Sequence, residues 1–483
     1  MYYRYAIIKK VVRKEEGCGI NGKKIYDKHM ASVILTLAWP TMLEQLMQTA
    51  VQYVDTAMVG SLGTQATAAV GGTTTLNWVV NGSIAAMGVG FLAFIAQAYG
   101  ANDKKKAARA SMQAVLMTIL LGLFFTVLTL SLSRKIPVWM QIDTNIRTLT
   151  SEYFFIINAP MLFRAAITVF STILRASGDT KTPMKVGIAV NLVNVSLNFL
   201  MIYPTRTIAL FGLSVWIPGM GLGIHGAAIA SAIAFVVGGI AITRALWRHP
   251  MLSPKGQRFA PDWSILRVCL KVAIPNMLQR FATSFGYVIF ASQINSLGEA
   301  STAAHVIANT VESAFYIPGY GMQTAAATLA GNAYGARDRK RLHDLARMFI
   351  PIEVGLMVLS GGALFALAPV LVRIFSDAED VIRLGTTVLR MVAVSEPFYG
   401  FSIIMEGMMQ GTGNTKRPFF YNVIGMWGVR VVGTLLCIGV LHLGLVSAWG
   451  CMIAHNMLVF VLFLLSFIRS TWDPMRHEEI QTV

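Results

Sequence analysis

Four short landmarks recur along this chain at one fixed offset of 235 residues. Pro40 returns as Pro275, each preceded by an alanine and one apolar residue. The others are Ser-Leu-Gly (61–63 and 296–298), Ala-Tyr-Gly-Ala (98–101 and 333–336) and Gly-x-Thr-Lys (178–181 and 413–416). Four matches in one register indicate a duplicated unit. In an apolar chain, two similar halves are typical of a transporter with two lobes around a central path.

Composition places both halves in a membrane. Of the 483 residues, 55% are hydrophobic and only 13% are charged, whereas a soluble protein carries about 25% charged residues. Apolar runs of roughly 20 residues, the length that crosses a bilayer, recur along most of the chain. The runs are continuous and do not alternate, which favours helices over a transmembrane barrel.

We predict an all-α polytopic membrane protein with twelve transmembrane helices in two six-helix lobes, related by a pseudo-two-fold axis along the membrane normal. The predicted spans are 31–59, 66–98, 108–132, 148–174, 183–204, 223–246, 266–294, 301–333, 346–373, 384–410, 419–441 and 444–468. The predicted domains are a basic tail (1–30), an N-lobe (31–247), a linker (248–264), a C-lobe (265–470) and a C-terminal tail (471–483).

The basic residues behind the net charge of +17 indicate how the chain is oriented in the membrane. Lysines and arginines cluster after spans 2, 4, 8 and 10 and in the linker, and they are sparse in the alternate loops. The positive-inside rule therefore puts both termini, the linker and the tails on the cytoplasmic side of the membrane. We expect this membrane to be a bacterial-type inner membrane. Clusters placed in this way argue against a nucleic-acid partner, and we expect a monomer in contact with the lipid bilayer. The loop at 205–222 is longer than its counterpart in the second half.

Nothing in the sequence indicates an enzyme. There is no Walker A motif and no Cys/His spacing for a structural metal, so we expect neither catalytic residues nor a bound cofactor. The four cysteines, Cys18, Cys269, Cys437 and Cys451, show no pairing pattern, and we expect them to pack in the core or against lipid.

Span 1 carries a polar stripe. Glu44, Gln45, Gln48, Gln52 and Asp55 fall on one helical face. A carboxylate that faces lipid costs at least about 2.5 kcal/mol, so the stripe must face water or a polar partner. There Asp55 can exchange a proton or ligate Na⁺, and Glu44, Gln48 and Gln52 would line a cavity. The alternative is a structural hydrogen-bond ladder.

The duplication provides an internal comparison for this stripe. An offset of 235 maps Asp55 onto Phe290 and Glu44 onto Gln279, so the second half has lost both acids. We therefore place the coupling-ion site in the first lobe.

Span 5 offers matching amides. Asn191, Asn194 and Asn198 share one helical face, and their oxygens or amide groups could bind a cation or hold Asp55. Ser231 on span 6 is a weaker addition to this predicted cation-coupling group. Hydrogen bonding between helices is the alternative reading.

The second lobe has buried ionisable residues of its own. Glu312 and Glu406 are candidates for recognising a substrate cation, and Arg430 is predicted to line the same cavity. Because an unpaired guanidinium at membrane depth is costly, we expect Arg430 to pair with Glu396 or Glu406. The sequence indicates no partner for Arg164 or Arg280.

Several motifs resemble the multidrug and toxic compound extrusion (MATE) family. They are Pro40-x-x-x-Glu44 and segments 54–60, 68–71, 97–101 and 175–180 in the first half, and 317–322, 331–336 and 410–415 in the second. The resemblance implies two lobes around a V-shaped cavity. It also implies secondary active multidrug efflux, in which cationic or amphipathic compounds are exchanged for Na⁺ or H⁺ by alternating access.

In this resemblance, Asp55 matches the family's first-helix aspartate and Asn194 its fifth-helix asparagine. The chain departs from the family at Asn198, where a DinF-like branch has an aspartate. It departs again at Thr283 and Tyr399, near which a NorM-like branch has acids. Asp55 would then be the residue that couples ion movement to export, and the sequence does not distinguish Na⁺ from H⁺ as the coupling ion. The alternatives are a lipid-linked glycan flippase, another exporter of the superfamily, or a passive channel or receptor; the acidic stripe disfavours the flippase.

Overall fold

The computed structural model describes residues 20–210 and 213–476. Its helices, numbered in chain order, are α1 (Ile20–Gly60), α2 (Thr64–Gly100), α3 (Lys104–Leu132), α4 (Arg147–Asn158 and Met161–Ala176), α5 (Lys181–Met201), α6 (Gly223–Arg248), α7 (Trp263–Asn295), α8 (Glu299–Gly335), α9 (Arg339–Arg373), α10 (Glu379–Gly411), α11 (Lys416–Val440) and α12 (Leu445–Ile468). A single helical turn, Ile136–Trp139, precedes α4.

Twelve helical segments of membrane-spanning length are thus present in the described part of the chain. Eight are long and apolar enough to cross a membrane, and the two pieces of α4, bent by 48°, count together as a ninth. The other three, α1, α7 and α8, have 41, 33 and 37 residues, longer than the roughly 20 that a bilayer requires. These three helices supply many of the polar residues that line the cavities described below. The predicted twelve-helix membrane fold is confirmed.

The duplication is visible in the backbone. Helices α2 and α8 each have 37 residues and lie 235 positions apart. Each follows a glycine in a conformation that other residues rarely adopt, Gly63 with φ +108° and Gly298 with φ +100°. Asp103 and Asp338 then cap α3 and α9 by accepting backbone N–H bonds at 2.9 Å. The same local chemistry therefore builds the same turn in both lobes.

The lobes meet at the end of the molecule that carries residues 101–106, 175–185, 336–341 and 412–417, which we call the basic end. There Gly100 lies against the carbonyl of Asn332, and Gly335 lies against that of Gln97, with no room for a Cβ at either glycine. The two glycine contacts bring the lobes together at the basic end. Nearer the middle of α1 and α8, Thr41 Oγ1 donates to the Gly321 carbonyl at 2.9 Å.

The long loop after α5 is an antiparallel hairpin of β1 (Pro204–Leu210) and β2 (Leu213–Met220), with a register shift between Pro204 and Arg206. The sequence predicted only that the loop at 205–222 is longer than its counterpart in the second half. The Arg206 guanidinium stacks over the rings of Tyr203 (3.8 Å) and Phe199 (4.8 Å), which ties the first strand to the end of α5.

The predicted tails differ from their structure where it is described. Helix α1 begins at Ile20, and residues 1–19 and 477–483 lie outside the described part. After α12 the chain folds back, so that Trp472 is completely buried in a cluster that also contains Met30 and Ile34 of α1. Asp473 Oδ2 accepts from Arg339 Nε at 2.7 Å and from His343 Nε2 at 3.0 Å.

Candidate functional site

A cavity of about 540 Å³ lies within the N-lobe. Most of the residues predicted from the stripe on α1 and the amides on α5 line it: Glu44, Gln48, Gln52, Asp55, Asn191, Asn198 and Ser231. Helices that are far apart in sequence therefore bring the predicted coupling residues to one place.

Asp55 is the centre of a hydrogen-bonded group in this cavity. Asn198 Nδ2 donates to Asp55 Oδ1 at 2.5 Å. With its amide nitrogen facing the acid, Asn194 donates to Oδ1 at 2.8 Å and Oδ2 at 3.2 Å, and its own oxygen accepts from Ser231 Oγ at 2.9 Å. Asn194 and Asn198 are 5% and 1% exposed. The carboxylate is thus held by two buried amides while Asp55 itself remains half-buried at the cavity wall.

Unpartnered polar atoms surround the same cavity. Asn198 Oδ1 and Asn77 Oδ1 are buried acceptors without a hydrogen-bond partner, and the Asn191 amide nitrogen is a buried donor without one. Carboxylate and amide oxygens are the ligands that hard cations prefer, so Asp55 and these oxygens offer the chemistry of a cation site. Asn191 shares a helical face with Asn194 and Asn198 but does not bond to Asp55.

Glu44 has a partner that the sequence did not indicate. Its Oε1 lies 2.6 Å from Arg175 Nη2, and the two side chains are 6% and 17% exposed. Arg175 ends α4 next to the loop of the basic end. Glu44 lines the cavity, but its charge is already paired.

The two arginines without an evident partner are bound to amides. Arg164 donates to Asn158 Oδ1 and Asn81 Oδ1, each at 3.2 Å, and lies over the Phe235 ring. Arg280 Nε donates to Asn276 Oδ1 at 3.1 Å. Amide oxygens can accept hydrogen bonds from a guanidinium in place of an acid. The sequence indicated no partner for Arg164 or Arg280 because neither partner is an acid.

A second cavity, of about 700 Å³, lies mainly within the C-lobe. The predicted residues Glu312, Glu406 and Arg430 all line it. It also has four tyrosines that the sequence reasoning missed, Tyr287, Tyr316, Tyr320 and Tyr399. The signal for two of them was their spacing of four on α8, which places both on one face.

Three amides hold Glu406. Gln279 and Gln410 donate to its Oε1 at 2.9 and 3.0 Å, and Asn422 reaches its Oε2 at 3.5 Å. The hydrogen bonds to the Glu406 carboxylate therefore come from amide groups, and it needs no arginine as a partner.

The duplication relates this group to the Glu44–Arg175 pair. At the offset of 235 residues, Glu44 corresponds to Gln279 and Arg175 to Gln410. In the N-lobe the two residues form an ion pair, whereas in the C-lobe both are amides that converge on Glu406. Each lobe thus buries an acid between equivalent helices, α1 and α4 or α7 and α10, but the acid lies on α1 in the N-lobe and on α10 in the C-lobe, and only Glu44 has a cationic partner.

The predicted ion pair of Arg430 with Glu396 or Glu406 is wrong. The structure records no ion pair of Arg430 among the residues it describes. Its guanidinium instead lies over the rings of Tyr287 (4.9 Å) and Phe290 (5.3 Å). The amides already occupy Glu406, and α11 is wound as a π-helix over Ile424–Val431, which changes the face on which Arg430 lies.

One buried acid was not identified as a site residue from the sequence. Glu353 on α9 is completely buried, and neither of its carboxylate oxygens has a partner. An acid two residues after Pro351 in an apolar span was the available signal.

The sequence profile of the MatE family matches residues 40–200 and 275–436, one segment in each half. The chain belongs to the MatE family. The resemblance to MATE transporters is confirmed, and with it the assignment to a family of transporters.

This MatE protein is similar along almost its whole length to curated relatives. It is 28% identical over 470 residues to the probable multidrug resistance protein NorM of Thermotoga maritima, which covers 97% of each chain. It is 24% identical to the mouse multidrug and toxin extrusion protein 1, over 91% of this chain and 75% of that one.

Solved structures show the same fold for this MatE protein. One is a MOP superfamily transporter from Pyrococcus furiosus (TM-score 0.84, 23% identity), which covers 92% of this chain and 97% of its own. Another is an outward-facing multidrug resistance MATE family transporter (TM-score 0.84, 24% identity), with the same coverage. The two-lobe arrangement is therefore that of known MATE transporters.

Proposed function

We propose that this protein is a secondary active multidrug exporter that exchanges cationic, amphipathic compounds for Na⁺ or H⁺, with Asp55 as the coupling residue. The observation that carries the proposal is the group in the N-lobe cavity, where the Asp55 carboxylate accepts hydrogen bonds from Asn194 and Asn198. The names of the relatives, which refer to multidrug resistance and to multidrug and toxin extrusion, support the substrate class.

The physical argument starts from the cost of charge. A carboxylate at membrane depth is costly unless it binds a proton, a cation or a polar partner. Two amides hold Asp55 in place, and the unpartnered Asn198 and Asn77 oxygens add cation ligands. A cation from outside would change the charge of this group. It drives transport only if ion and substrate favour different arrangements of the lobes.

Helix α1 is the element that can transmit the change. It carries Asp55 beyond Pro40, and next to that proline Thr41 bonds to the Gly321 carbonyl of the C-lobe. A proline inside a helix removes one backbone hydrogen bond and eases bending there. Binding at Asp55 would therefore repack α1 against α8.

The C-lobe cavity suits an aromatic cation. Glu312 and Glu406 supply acidic groups, and tyrosine faces attract cations through their ring electrons. The basic end would face the cytoplasm by the positive-inside rule. The cavities would then open toward the outside in this arrangement.

The test is dye flux in proteoliposomes with an imposed Na⁺ or pH gradient. The dye is a cationic rhodamine ester. Asp55→Asn should abolish gradient-driven flux, whereas Asp143→Asn, at an exposed loop acid, should leave it unchanged. Gradient-driven flux at the wild-type rate in Asp55→Asn would show that Asp55 is not the coupling residue. Flux that needs no gradient in the wild type would instead indicate a passive channel.

A further inference from the structure

Arg430 is the least satisfied charged group that faces the C-lobe cavity. Its side chain is 2% exposed, and its Nε and Nη1 atoms are buried without a hydrogen-bond partner. A buried guanidinium that lacks partners is costly. A structural role over the Tyr287 and Phe290 rings would satisfy its planar face but not these donors.

The protein holds this guanidinium in a fixed position. Met426, one helical turn before Arg430, packs against Gly286 of α7 so closely that no Cβ would fit there. Trp427 Nε1 donates to the Ala282 carbonyl at 3.1 Å. Helices α7 and α11 are therefore locked together beside Arg430, and its donors are pre-organised.

The chemistry of the open donors selects the ligand. Nη2 of Arg430 adjoins both of these donors, and its pairing with either Nε or Nη1 forms the planar fork of an arginine that binds both oxygens of a carboxylate. Among the residues that the structure describes, the nearby acids do not fill this fork, because Glu406 bonds to amides and no salt bridge joins Glu312 to Arg430. Glu312 lines the same cavity, and it is available to a positively charged group.

We propose that Arg430 is a subsite for the carboxylate of zwitterionic substrates, whose ammonium or iminium group lies toward Glu312 and the tyrosines. The inference rests on the proposed export function and adds, to its cationic substrates, molecules that carry both charges. A cavity of about 700 Å³ is of the size that holds a drug-like molecule.

The experiment compares two dyes that differ only at one group. One is a rhodamine with a free carboxylate, and the other is its cationic methyl ester. Their binding to the purified full-length protein in detergent is measured by fluorescence polarisation, without any ion gradient. The readout is the ratio of the two dissociation constants.

We expect the wild type to bind the acid at least as tightly as the ester. Arg430→Gln should weaken binding of the acid by about tenfold or more, the loss expected for a charge-assisted pair, and change binding of the ester by less than about threefold. Arg430→Lys should give an intermediate ratio, because an ammonium keeps the charge but loses the fork. A group that acts only by packing would shift both dyes together.

Arg280→Gln is the matched control, since Arg280 lines the same cavity but its side chain is more exposed and its Nε already bonds to Asn276. An equal loss of acid binding in both glutamine variants would overturn the subsite in favour of a general positive field. A wild type that prefers the ester would overturn it as well, even if Arg430→Gln does not fold. Because binding is measured without a gradient, failure here is distinct from failure of the Asp55 flux test.

Discussion

Gly100 and Gly335, which occupy equivalent positions in the two halves, each lie against a backbone carbonyl of the opposite lobe. Gly100 contacts Asn332, and Gly335 contacts Gln97, the residue equivalent to Asn332. The same contact is thus made twice, once from each side of the pseudo-two-fold axis. Closure of the basic end depends on two positions that have no side chain.

Gly100→Ala is expected to weaken this closure, because the added methyl group would overlap backbone atoms that cannot rotate away. Overpacking of this kind costs about 1–3 kcal/mol. Thermal unfolding of the purified protein in detergent should show a lower midpoint. Gly71→Ala in the same helix has no atom within 4 Å of the new methyl, and should leave the midpoint unchanged or slightly higher. Equal midpoints for the two variants would contradict the close contact.

The three asparagines of α5 are expected to differ in their effect on coupling. Asn194→Ala and Asn198→Ala each remove a hydrogen bond to the Asp55 carboxylate, and bonds to charged groups contribute about 1.5–3 kcal/mol. Gradient-driven dye flux should fall at least tenfold in both. Asn191→Ala removes a side chain that does not bond to Asp55, and should reduce flux less. A ranking with Asn191 first would argue against the geometry.

The ion pair between Glu44 and Arg175 should be detectable as a coupling energy. Glu44→Gln leaves the 17%-exposed Arg175 without its acid, and breaking a buried pair costs up to about 3–5 kcal/mol. The swapped variant Glu44→Arg with Arg175→Glu should recover part of the lost thermal stability. Asp380→Asn disrupts the exposed pair with Arg383, and should change stability by less than about 1 kcal/mol. No recovery in the swap would contradict a direct pair.

Cys437 and Cys451 are expected to cross-link when a copper–phenanthroline oxidant is added. Their sulfurs are 3.7 Å apart on α11 and α12 and need to approach by roughly 1.7 Å to reach the disulfide length of about 2.05 Å. Peptide mass spectrometry should find the two cysteines joined. Cys437→Ser should abolish the product, while the buried Cys269 should stay reduced. A wild type that does not cross-link would contradict this pairing.

The segment after α12 should detach only in strong acid. Burial alone would raise the pKa of Asp473, but the hydrogen bonds from His343, Arg339 and the Met475 N–H outweigh it and hold the pKa below its ordinary value. A depressed pKa means that the stabilisation is present above the unfolded value of about 3.9 and is lost as the pH falls through the folded one.

Hydrogen exchange of residues 469–476, corrected for intrinsic rates, measures this. Protection should persist at neutral pH, begin to fall below about pH 4, and be lost as the pH passes through the lower pKa of folded Asp473. Asp473→Asn should lose protection at every pH, because the amide cannot carry the charge that Arg339 and His343 face. Protection in that variant at neutral pH would show that the burial of Trp472 alone holds the segment.

Periodicity within single helices predicted much of what the structure shows. The offset of 235 residues and the apolar runs predicted the two-lobe helical fold. The polar faces of α1 and α5 predicted that Asp55 would meet the amides of Asn194 and Asn198, because a polar helix face within a membrane needs water or a polar partner. The role of that group in coupling stays a prediction.

Contacts between helices were harder to predict because they depend on register and winding. Arg175 and Glu44 are far apart in sequence, and nothing local marks them as partners. The π-helical turns of α11 alter the face of Arg430 and bring Cys437 beside Cys451. A prediction that assumes 3.6 residues per turn therefore assigns Arg430 and Cys437 to the wrong face of α11.

The reciprocal glycine contact has a consequence for how such a chain can evolve. A side chain introduced at either position would disturb the seam shared by both gene-duplicated halves, so these positions can change only together with their opposite surface. The residues of the cavity walls lie away from the pseudo-two-fold axis, and they can change without a matching change in the other lobe. Asp55 in one half and Phe290 in the other have therefore been free to diverge. One cavity wall can change to bind a new substrate while the contact between the lobes is kept.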